Sequence, residues 1–248
     1  MKHPWSAYAD FECFNNPISA CSPGERKSFT KQYQKHTPCG FGLLIKCFDN
    51  KLYPPKFIQN TAKSPDEDVA QIFADILESE FKNICQMVPA NKKKYPKKKK
   101  WDCDAFKKAT HCHVCGGVLG QDKVWDHCHY TGKYRGASHS KCNMDFQVPK
   151  YFPVFFHNLS GYDSHLFIKN LGVSDGNIKC IANNEEKYIS FSKKIVVGKY
   201  IDKKDEKEKE SKREIRFIDS FKFMSTSLEK LAANLPISRV FQKSRGSL

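Results

Sequence analysis

The sequence predicts an α/β protein that is interrupted by a small metal-binding module. Apolar runs of strand length, such as residues 6–14 and 151–156, alternate with stretches whose apolar residues recur at helical spacing. Between these parts the chain is rich in metal-ligand residues. Five of the nine histidines and four of the eleven cysteines lie in residues 111–142. We therefore expect two parts of an α/β fold on either side of an insert.

The insert carries two pairs of ligand-type residues with the same spacing. Cys112 and Cys115 form one pair, and His139 and Cys142 form the other. A structural zinc ion takes four sulfur or nitrogen ligands in a tetrahedron, and a short spacing lets one tight turn present two of them. Buried cysteines with surface histidines are the other interpretation, but the clustering favours zinc. The alternative ligands are Cys128 and His113.

A polar group lies between the two pairs, in Asp126-His127-Cys128-His129. On a strand, Asp126 and Cys128 would share one face, and His127 and His129 the other. A carboxylate and an imidazole, together with Asn143, are suited to hold Mg²⁺ and to activate a water molecule.

These residues resemble a known family. The order Cys-x-x-Cys, Asp-His-x-His, Thr-Gly, Arg-Gly, second ligand pair and Asn is similar to the His-Asn-His fold of recombination endonuclease VII. The resemblance implies a zinc-bound ββα module whose nuclease residues are Asp126, His127 and Asn143. The implied zinc ligands are Cys112, Cys115, His139 and Cys142. This sequence departs from the family at His139, where the family has Cys, and at Cys128, where it usually has Asp. The alternative is a zinc module that only binds a partner or stabilises the structure, without catalysis.

Composition limits the class of protein and its partners. The chain has 248 residues, a net charge of +15 and a pI near 9.3, and its length fits one large domain or two small ones. Such basicity favours an anionic partner, most often nucleic acid. The first residues hold no apolar signal region, and no run of 18 apolar residues occurs. We therefore expect no membrane partner and no secretion, but reduced thiols in the nucleus or cytoplasm.

The first predicted strand, residues 6–14, carries two carboxylates. Asp10 and Glu12 are two residues apart, so a strand points both to one face. Two such acids repel each other, and their burial is costly unless a cation joins them, for which Mg²⁺ is suited. The alternative is the hydrated face of an edge strand.

Other patterns predict the remaining elements. Before the insert they are a loop at 15–39, a hairpin of strands 41–48 and 52–59, a helix from Ser64 to near Val88, and a lysine-rich linker at 91–100. After the insert they are a strand at Tyr151–Phe156, a helix that starts near Asp163, two strands within 180–200, a charged loop at 202–213, a strand at 214–221 and a helix at 225–235. We expect Leu228, Leu231 and Leu235 of the last helix to pack inward.

Three motifs outside the insert carry a second resemblance. They are Tyr-Ala-Asp10-Phe-Glu12, Asn158-x-x-x-Tyr162-Asp163, and Ser227-Leu228 followed by Leu231. In this order they resemble the 3′–5′ exonuclease region of protein-primed family-B DNA polymerases, the type found in self-synthesising DNA transposons and linear plasmids. The resemblance spans nearly the whole chain, and it is the combination of motifs that makes it specific.

This resemblance implies a ribonuclease-H-like mixed sheet with flanking helices. The fold would occupy residues 1–100 and 150–248, with the zinc module at 101–149. Asp10, Glu12 and Asp163 would bind two divalent ions, Mg²⁺ or Mn²⁺. Asn158 and Tyr162 would hold a single-stranded 3′ end of DNA. Ser227 and Leu228 would contact that strand or a terminal protein primer.

The polymerase family's third exonuclease motif, Tyr-x-x-x-Asp, has no match after Asp163. We therefore expect an isolated proofreading domain with feeble activity, in which Asp219 is the first acid to consider as a replacement ligand. The palm, fingers and thumb of the polymerase are also missing from these 248 residues. Two other functions stay open: an endonuclease that works through the zinc module, and a non-catalytic nucleic-acid-binding remnant.

Overall fold

A seven-stranded mixed sheet forms the body of the protein. The computed structural model describes residues 3–18, 34–64, 66–87, 100–128, 132–146, 151–173, 176–182, 188–202 and 206–235. The strands of the sheet are β1 (Trp5–Pro17), β2 (Gln34–Cys47), β3 (Lys56–Thr61), β6 (Tyr151–Phe156), β7 (Ile178–Ala182), β8 (Tyr188–Ile201) and β9 (Glu208–Asp219). Their order across the sheet is β3-β2-β1-β6-β9-β8-β7. Strands β4 and β5 belong to the zinc module and form no part of this sheet.

The first three strands are antiparallel neighbours. The predicted strand at 6–14 and hairpin at 41–59 are confirmed, although β3 begins only at Lys56, after a turn in which Tyr53 is buried. The predicted loop at 15–39 is wrong at both ends. Residues 15–17 of β1 pair with residues 34–36 of β2, so ladder hydrogen bonds satisfy a polar stretch that has no apolar alternation.

The middle of the sheet is parallel. β6 pairs in parallel with β1 on one side and with β9 on the other. Helix α1 (Val69–Met87) and helix α4 (Ser164–Leu171) contact each other and β2, so they cover one face. Phe73 on α1 lies 5.0 Å from Phe11 and 5.2 Å from Phe167 between ring centroids. This aromatic cluster fills the core between the sheet and its helices.

Helix α1 begins later than the sequence predicts. The expected start was Ser64, but the first helical residue is Val69, and the Asp68 carboxylate accepts a hydrogen bond from the backbone N–H of Gln71 at 3.0 Å. Asp68 therefore caps the helix. Its end at Met87 agrees with the prediction.

The last strand is longer than predicted. Residues 208–213, expected as part of a charged loop, belong to β9 and pair with β8. Opposite charges face each other across this hairpin, as in the Lys199–Glu208 pair at 3.1 Å, so a charged sequence forms a stable ribbon. The two strands expected within 180–200 are confirmed as β7 and β8.

The final helix is shorter than predicted and does not pack inward. Helix α5 is Leu228–Ala233, and a short 3₁₀ helix, Ser220–Lys222, precedes it. The side chains of Leu228 and Leu235 are 54% and 55% exposed. In the described residues they therefore do not contribute to the core, and the expectation from leucine spacing is wrong for them.

The insert forms a separate two-stranded unit. Strands β4 (Lys123–His127) and β5 (Tyr134–His139) pair with each other and not with the main sheet, and helix α3 (Ser140–Asp145) follows β5 directly. This is the predicted ββα arrangement. Helix α2 (Lys100–Lys108), which the sequence did not indicate, precedes it. Residues 91–99 of the lysine-rich linker lie outside the described residues.

No helix in the described ranges has the length and apolar character that a bilayer span requires.

Candidate functional site

The two predicted ligand pairs meet at one point of the module. The ligand atoms of Cys112, Cys115, His139 and Cys142 all lie within 4.8 Å of one another. Nδ1 of His139 is 3.5 Å from Sγ of Cys115 and 3.6 Å from Sγ of Cys142. A tetrahedral zinc ion with bonds of about 2.3 Å to sulfur and about 2.05 Å to nitrogen spans an S···N edge of roughly 3.6 Å. The residues therefore fit a structural zinc ion.

Local backbone geometry presents each pair. After Cys112 the chain turns tightly, with the backbone N–H of Gly116 donating to the carbonyl of Cys112 at 2.8 Å. Gly116 has a φ of 74°, in the left-handed region where a side chain is strained. The second pair uses the junction of β5 and α3, because His139 ends the strand and Cys142 lies one helical turn later.

The hydrogen bonds of this cluster prepare it for a cation. Nε2–H of His139 donates to the carbonyl of Val118 at 2.9 Å, which leaves the Nδ1 lone pair facing the sulfur atoms. Burial opposes ionisation of Cys112, but nearby backbone N–H groups outweigh it and lower the pKa of this thiol to about 6. Burial and the two other thiols raise the pKa of Cys142 to about 11. A bound divalent cation would stabilise the deprotonated form of these thiols.

The alternative ligands lie outside the cluster. Cys128 and His113 are not among the residues whose ligand atoms meet. Instead, Nε2–H of His113 donates to Oδ2 of Asp126 at 2.8 Å. The strand expected through Asp126 and Cys128 ends at His127 and contains a register shift after Asp126. His129 lies outside the described residues.

The carboxylate of Asp126 accepts hydrogen bonds from two side chains, His113 and Arg135. Its second oxygen, Oδ1, accepts a hydrogen bond from the guanidinium of Arg135 at 2.7 Å, and its side chain is 1% exposed. The ring of Phe146 lies 4.6 Å from the Arg135 guanidinium carbon. Both carboxylate oxygens are thus engaged inside the module. The other two predicted nuclease residues, His127 and Asn143, are half-buried.

The carboxylates of the main sheet lie on its open face. Asp10 and Glu12 alternate with the buried Ala9 and Phe11 on β1, so both point to one face of the strand, as predicted, and this face is the one away from α1 and α4. Burial and the charge of Glu12 raise the pKa of Asp10. The two acids therefore repel each other at a partly desolvated place.

Asp163 comes to the same place from the turn before α4. Its side chain is 2% exposed, and its Oδ1 has no hydrogen-bond partner. Burial, followed by the charge of Asp10, raises the pKa of Asp163 to about 7. An unsatisfied, buried carboxylate oxygen beside a second acid is a favourable place for a cation. In the described ranges only the zinc cluster has all ligand atoms within 4.8 Å, so the three carboxylates are spaced more widely.

Asp219 has a different surrounding. It accepts four hydrogen bonds, from the backbone N–H groups of Asn158, Ser160 and Phe221 and from the hydroxyl of Ser160. Burial opposes ionisation of Asp219, but these donors outweigh it and lower its pKa. The carboxylate thus fixes the turn of residues 158–163, and its bonds give no support to the expected role as a replacement metal ligand.

The second motif is held in an unusual backbone conformation. Asn158 has a φ of 72°, and its N–H is tied to Asp219 at 3.0 Å. Tyr162 is half-buried, and its hydroxyl lies 2.8 Å from Nδ1 of His36 on β2. His36 gave no signal in the sequence, because 126 residues separate it from Tyr162 and no motif includes it.

The third motif lies at the rim of the open face. The Ser227 side chain caps α5 by accepting from the backbone N–H of Lys230 at 3.3 Å. His157, which sequence reasoning also missed, donates from Nε2 to the carbonyl of Thr226 at 2.7 Å and lies 3.0 Å from the Ser220 hydroxyl. These bonds hold residues 220–227 beside the carboxylates.

A cavity of about 810 Å³ lies on the open face of the sheet. Asp10, Glu12 and His157 line it together with apolar and aromatic side chains, among them Tyr8, Leu44, Phe57, Phe155, Met224 and Leu228. The rings of Tyr8 and Phe155 stack at 5.5 Å with an interplanar angle of 22°. The site therefore combines acidic groups with flat apolar surfaces.

Comparison with known proteins finds a similarity for one part of the chain. Residues 86–152 match the family model of recombination endonuclease VII. The match covers the zinc module and supports a nuclease or nucleic-acid-binding function with DNA as partner. No curated protein matches the chain, and no solved structure matches it.

Proposed function

We propose that this protein is a metal-dependent nuclease whose chemistry takes place at Asp10, Glu12 and Asp163. In this proposal it is the 3′–5′ exonuclease (proofreading) domain of a protein-primed family-B DNA polymerase from a mobile element, acting in the nucleus or cytoplasm. The observation that carries the proposal is the unsatisfied Oδ1 of the buried Asp163, next to the charge of Asp10.

The sheet topology supports a ribonuclease-H-like fold. Three antiparallel strands, β3-β2-β1, are followed by two strands parallel to β1, namely β6 and β9. This arrangement brings β1 next to β6, whose following turn carries Asp163. The order therefore joins the first and second motifs at the same edge of the open face.

The three carboxylates fit Mg²⁺ or Mn²⁺, both of which prefer oxygen ligands. When bound, such ions activate a water molecule and stabilise the leaving 3′ oxygen. Two-metal sites hold ions about 3.5–4 Å apart, so their ligands need not all lie within one small sphere. The protein's own contribution is to hold Asp163 dehydrated and to keep Asp10 and Glu12 on one face of a rigid strand.

The cavity is suited to a single-stranded 3′ end. Bases stack on aromatic side chains without regard to sequence, and Tyr8, Phe57 and Phe155 supply such surfaces beside Asp10. Asn158 and Tyr162 flank Asp163 and would hold the end nucleotide. Ser227 and Leu228 would contact the strand, or a terminal protein primer as the resemblance implies. The net charge of +15 favours binding to phosphates.

A second candidate is an endonuclease that uses Asp126, His127 and Asn143. The family match of residues 86–152 favours it. The bonds of Asp126 to His113 and Arg135 weigh against it, because a metal ion would have to displace one of them from a nearly inaccessible carboxylate. We therefore assign the module a DNA-binding role and the chemistry to the main sheet.

Two substrates distinguish the candidates. A 3′-labelled linear strand with Mn²⁺ should be trimmed slowly by the wild type and not by Asp10→Ala or Asp163→Ala. The rate should be low because these 248 residues have no Tyr-x-x-x-Asp motif after Asp163, and loss of one electrostatic partner costs ~10² to 10³ in rate. A circular single strand offers no end to an exonuclease. Its cleavage, lost in Asn143→Ala but not in Asp163→Ala, would refute the proposal and identify the module as the active centre.

A further inference from the structure

We propose that His36 is a positioning residue, which holds the Tyr162 hydroxyl at the entrance of the carboxylate site and makes β2 part of the strand-binding surface. The inference rests on the proposed function, because it assigns Tyr162 to the bound 3′ end. It adds a residue from outside all three motifs.

The contact between the two side chains is specific. Nδ1 of His36 lies 2.8 Å from the Tyr162 hydroxyl oxygen, and the two rings meet edge to face with centroids 5.3 Å apart. His36 lies opposite Asn15, on the part of the β1–β2 hairpin that extends beyond Glu12. The hairpin thus reaches from the carboxylates to the turn of residues 158–163.

The surroundings of Tyr162 keep its proton in place. Burial, the Cys13 thiol and the charges of Asp163 and Glu12 raise the pKa of Tyr162 to about 12. The phenol therefore stays a hydrogen-bond donor at neutral pH. A neutral donor beside two acids is able to bind a phosphate oxygen without adding negative charge.

The hydrogen bond to His36 determines the direction in which the Tyr162 hydroxyl donates its proton. The phenol has one proton, and a phosphate oxygen only accepts. When His36 carries its proton on Nδ1, the imidazole donates to the phenol oxygen. The phenol proton, which otherwise points to the Cys13 sulfur, is then able to turn to the strand. Tyr162 lies in a turn whose backbone is fixed by Asp219, so the remaining freedom of its hydroxyl is rotation of the side chain about the Cα–Cβ bond, which the bond to His36 restricts.

The test is a double-mutant cycle on DNA binding. Affinity for a 3′-ended single-stranded oligonucleotide is measured by fluorescence anisotropy, with Ca²⁺ present to prevent trimming, for wild type, His36→Phe, Tyr162→Phe and the double variant. Each single variant should weaken binding about three- to tenfold, the range expected for one lost hydrogen bond. The double variant should be no weaker than the single ones, because both remove the same interaction.

Two further variants separate positioning from folding. His36→Asn, whose side-chain amide lies near the position of Nδ1, should recover part of the affinity, which a purely structural defect would not allow. Asn83→Phe also replaces an exposed polar side chain by phenylalanine, but on α1 and away from the open face, and it should bind like the wild type. Thermal unfolding of each variant reports any loss of folding.

Several outcomes would overturn the inference. They are wild-type affinity in His36→Phe, additive losses in the double variant, or no effect of Tyr162→Phe. Failure of the proposed function has a different signature. If Asp163→Ala trims a 3′-labelled strand in Mn²⁺ as fast as the wild type, the assignment of the catalytic site is wrong, whatever the binding data show.

Discussion

Asp219 accepts hydrogen bonds from both the backbone N–H and the hydroxyl of Ser160, at 3.0 and 2.7 Å. Its other oxygen accepts from the backbone N–H groups of Asn158 and Phe221, each at 3.0 Å. One carboxylate therefore ties the end of β9 to the turn that carries Asp163. The geometry of the proposed site depends on an acid that does not take part in its chemistry.

Asp219→Asn should destabilise the protein. In the amide, one carboxylate oxygen is replaced by an NH₂ group, which cannot accept from the two donors that face it. Each buried donor left without an acceptor costs about 1–3 kcal/mol. The free energy of unfolding, measured with urea, should fall by at least that amount. Asp104→Asn, an exposed change on α2, is the control. Wild-type stability in Asp219→Asn would show that the hydrogen bonds are not needed.

The pH dependence of this effect has a definite sign. The donors lower the pKa of Asp219 in the folded protein, so its stabilisation is present above the pKa of the unfolded chain, near 3.9. It is lost as the pH falls through the folded value. The difference in unfolding free energy between wild type and Asp219→Asn should therefore be constant from pH 5 to 7 and shrink below about pH 4.

Asp163→Asn should have the opposite effect. The pKa of Asp163 is raised to about 7, so without metal the fold loses stability as the pH rises from about 4 to 7, and the loss stays constant above that. The variant should unfold at a higher temperature than the wild type at pH 8 and at the same temperature near pH 4. The gain is at most about 4 kcal/mol.

Divalent ions provide the control for this prediction. Mn²⁺ should raise the melting temperature of the wild type at pH 8 and have little effect on Asp163→Asn, because the variant lacks the buried charge. Asp75→Asn, on the exposed side of α1, should behave like the wild type. The same response to Mn²⁺ in wild type and Asp163→Asn would place the ion elsewhere.

The chain should bind one zinc ion per molecule. Cys112→Ser or Cys142→Ser should lose the ion and unfold residues near 110–145, because a module this small gains most of its folding energy from the metal. Hydrogen exchange should show loss of protection there and retained protection in the main sheet. Cys180→Ser, an exposed thiol on β7, should keep its zinc. Negligible zinc in well-folded wild-type protein would contradict the assignment.

The insert should be separable from the sheet. Replacement of residues 100–148 by a short flexible linker should leave a folded, soluble remainder, because loop closure depends weakly on length. The exposed Lys133 contacts Asp49 across the boundary at 3.5 Å, and such a solvent-screened pair contributes little to stability. Far-ultraviolet circular dichroism and a cooperative melt provide the test. A molten product would show that the module completes the main core.

The local features of the site were predictable from short-range pattern. The spacing of Cys112 and Cys115 is a property of one turn, and that of His139 and Cys142 is a property of one helical turn. The shared face of Asp10 and Glu12 follows from strand geometry alone. Helix α4 and the position of Asp163 at its start were predictable for the same reason.

The missed features depend on pairing between distant segments. The extension of β2 to Gln34 and of β9 to Glu208 comes from cross-strand partners, not from an apolar pattern. The contact of His36 with Tyr162 and the four bonds of Asp219 also join residues far apart in sequence. Leucine spacing in α5 was misleading, because Leu228 lines the open cavity instead of the core.

The position of the zinc module has a consequence during synthesis on the ribosome. β1 ends at Pro17, but its parallel neighbour β6 begins only at Tyr151, about 130 residues later. At a translation rate of about 5–20 residues per second, the β6-facing edge of β1 stays unpaired for roughly 7–26 s. During that interval a strand from another nascent chain is able to add to the same edge. Zinc lets the module fold by itself, but it does not shorten the time for which this edge of β1 is unpaired. The risk of wrong strand pairing therefore follows from the order of the segments along the chain and persists even when zinc is abundant.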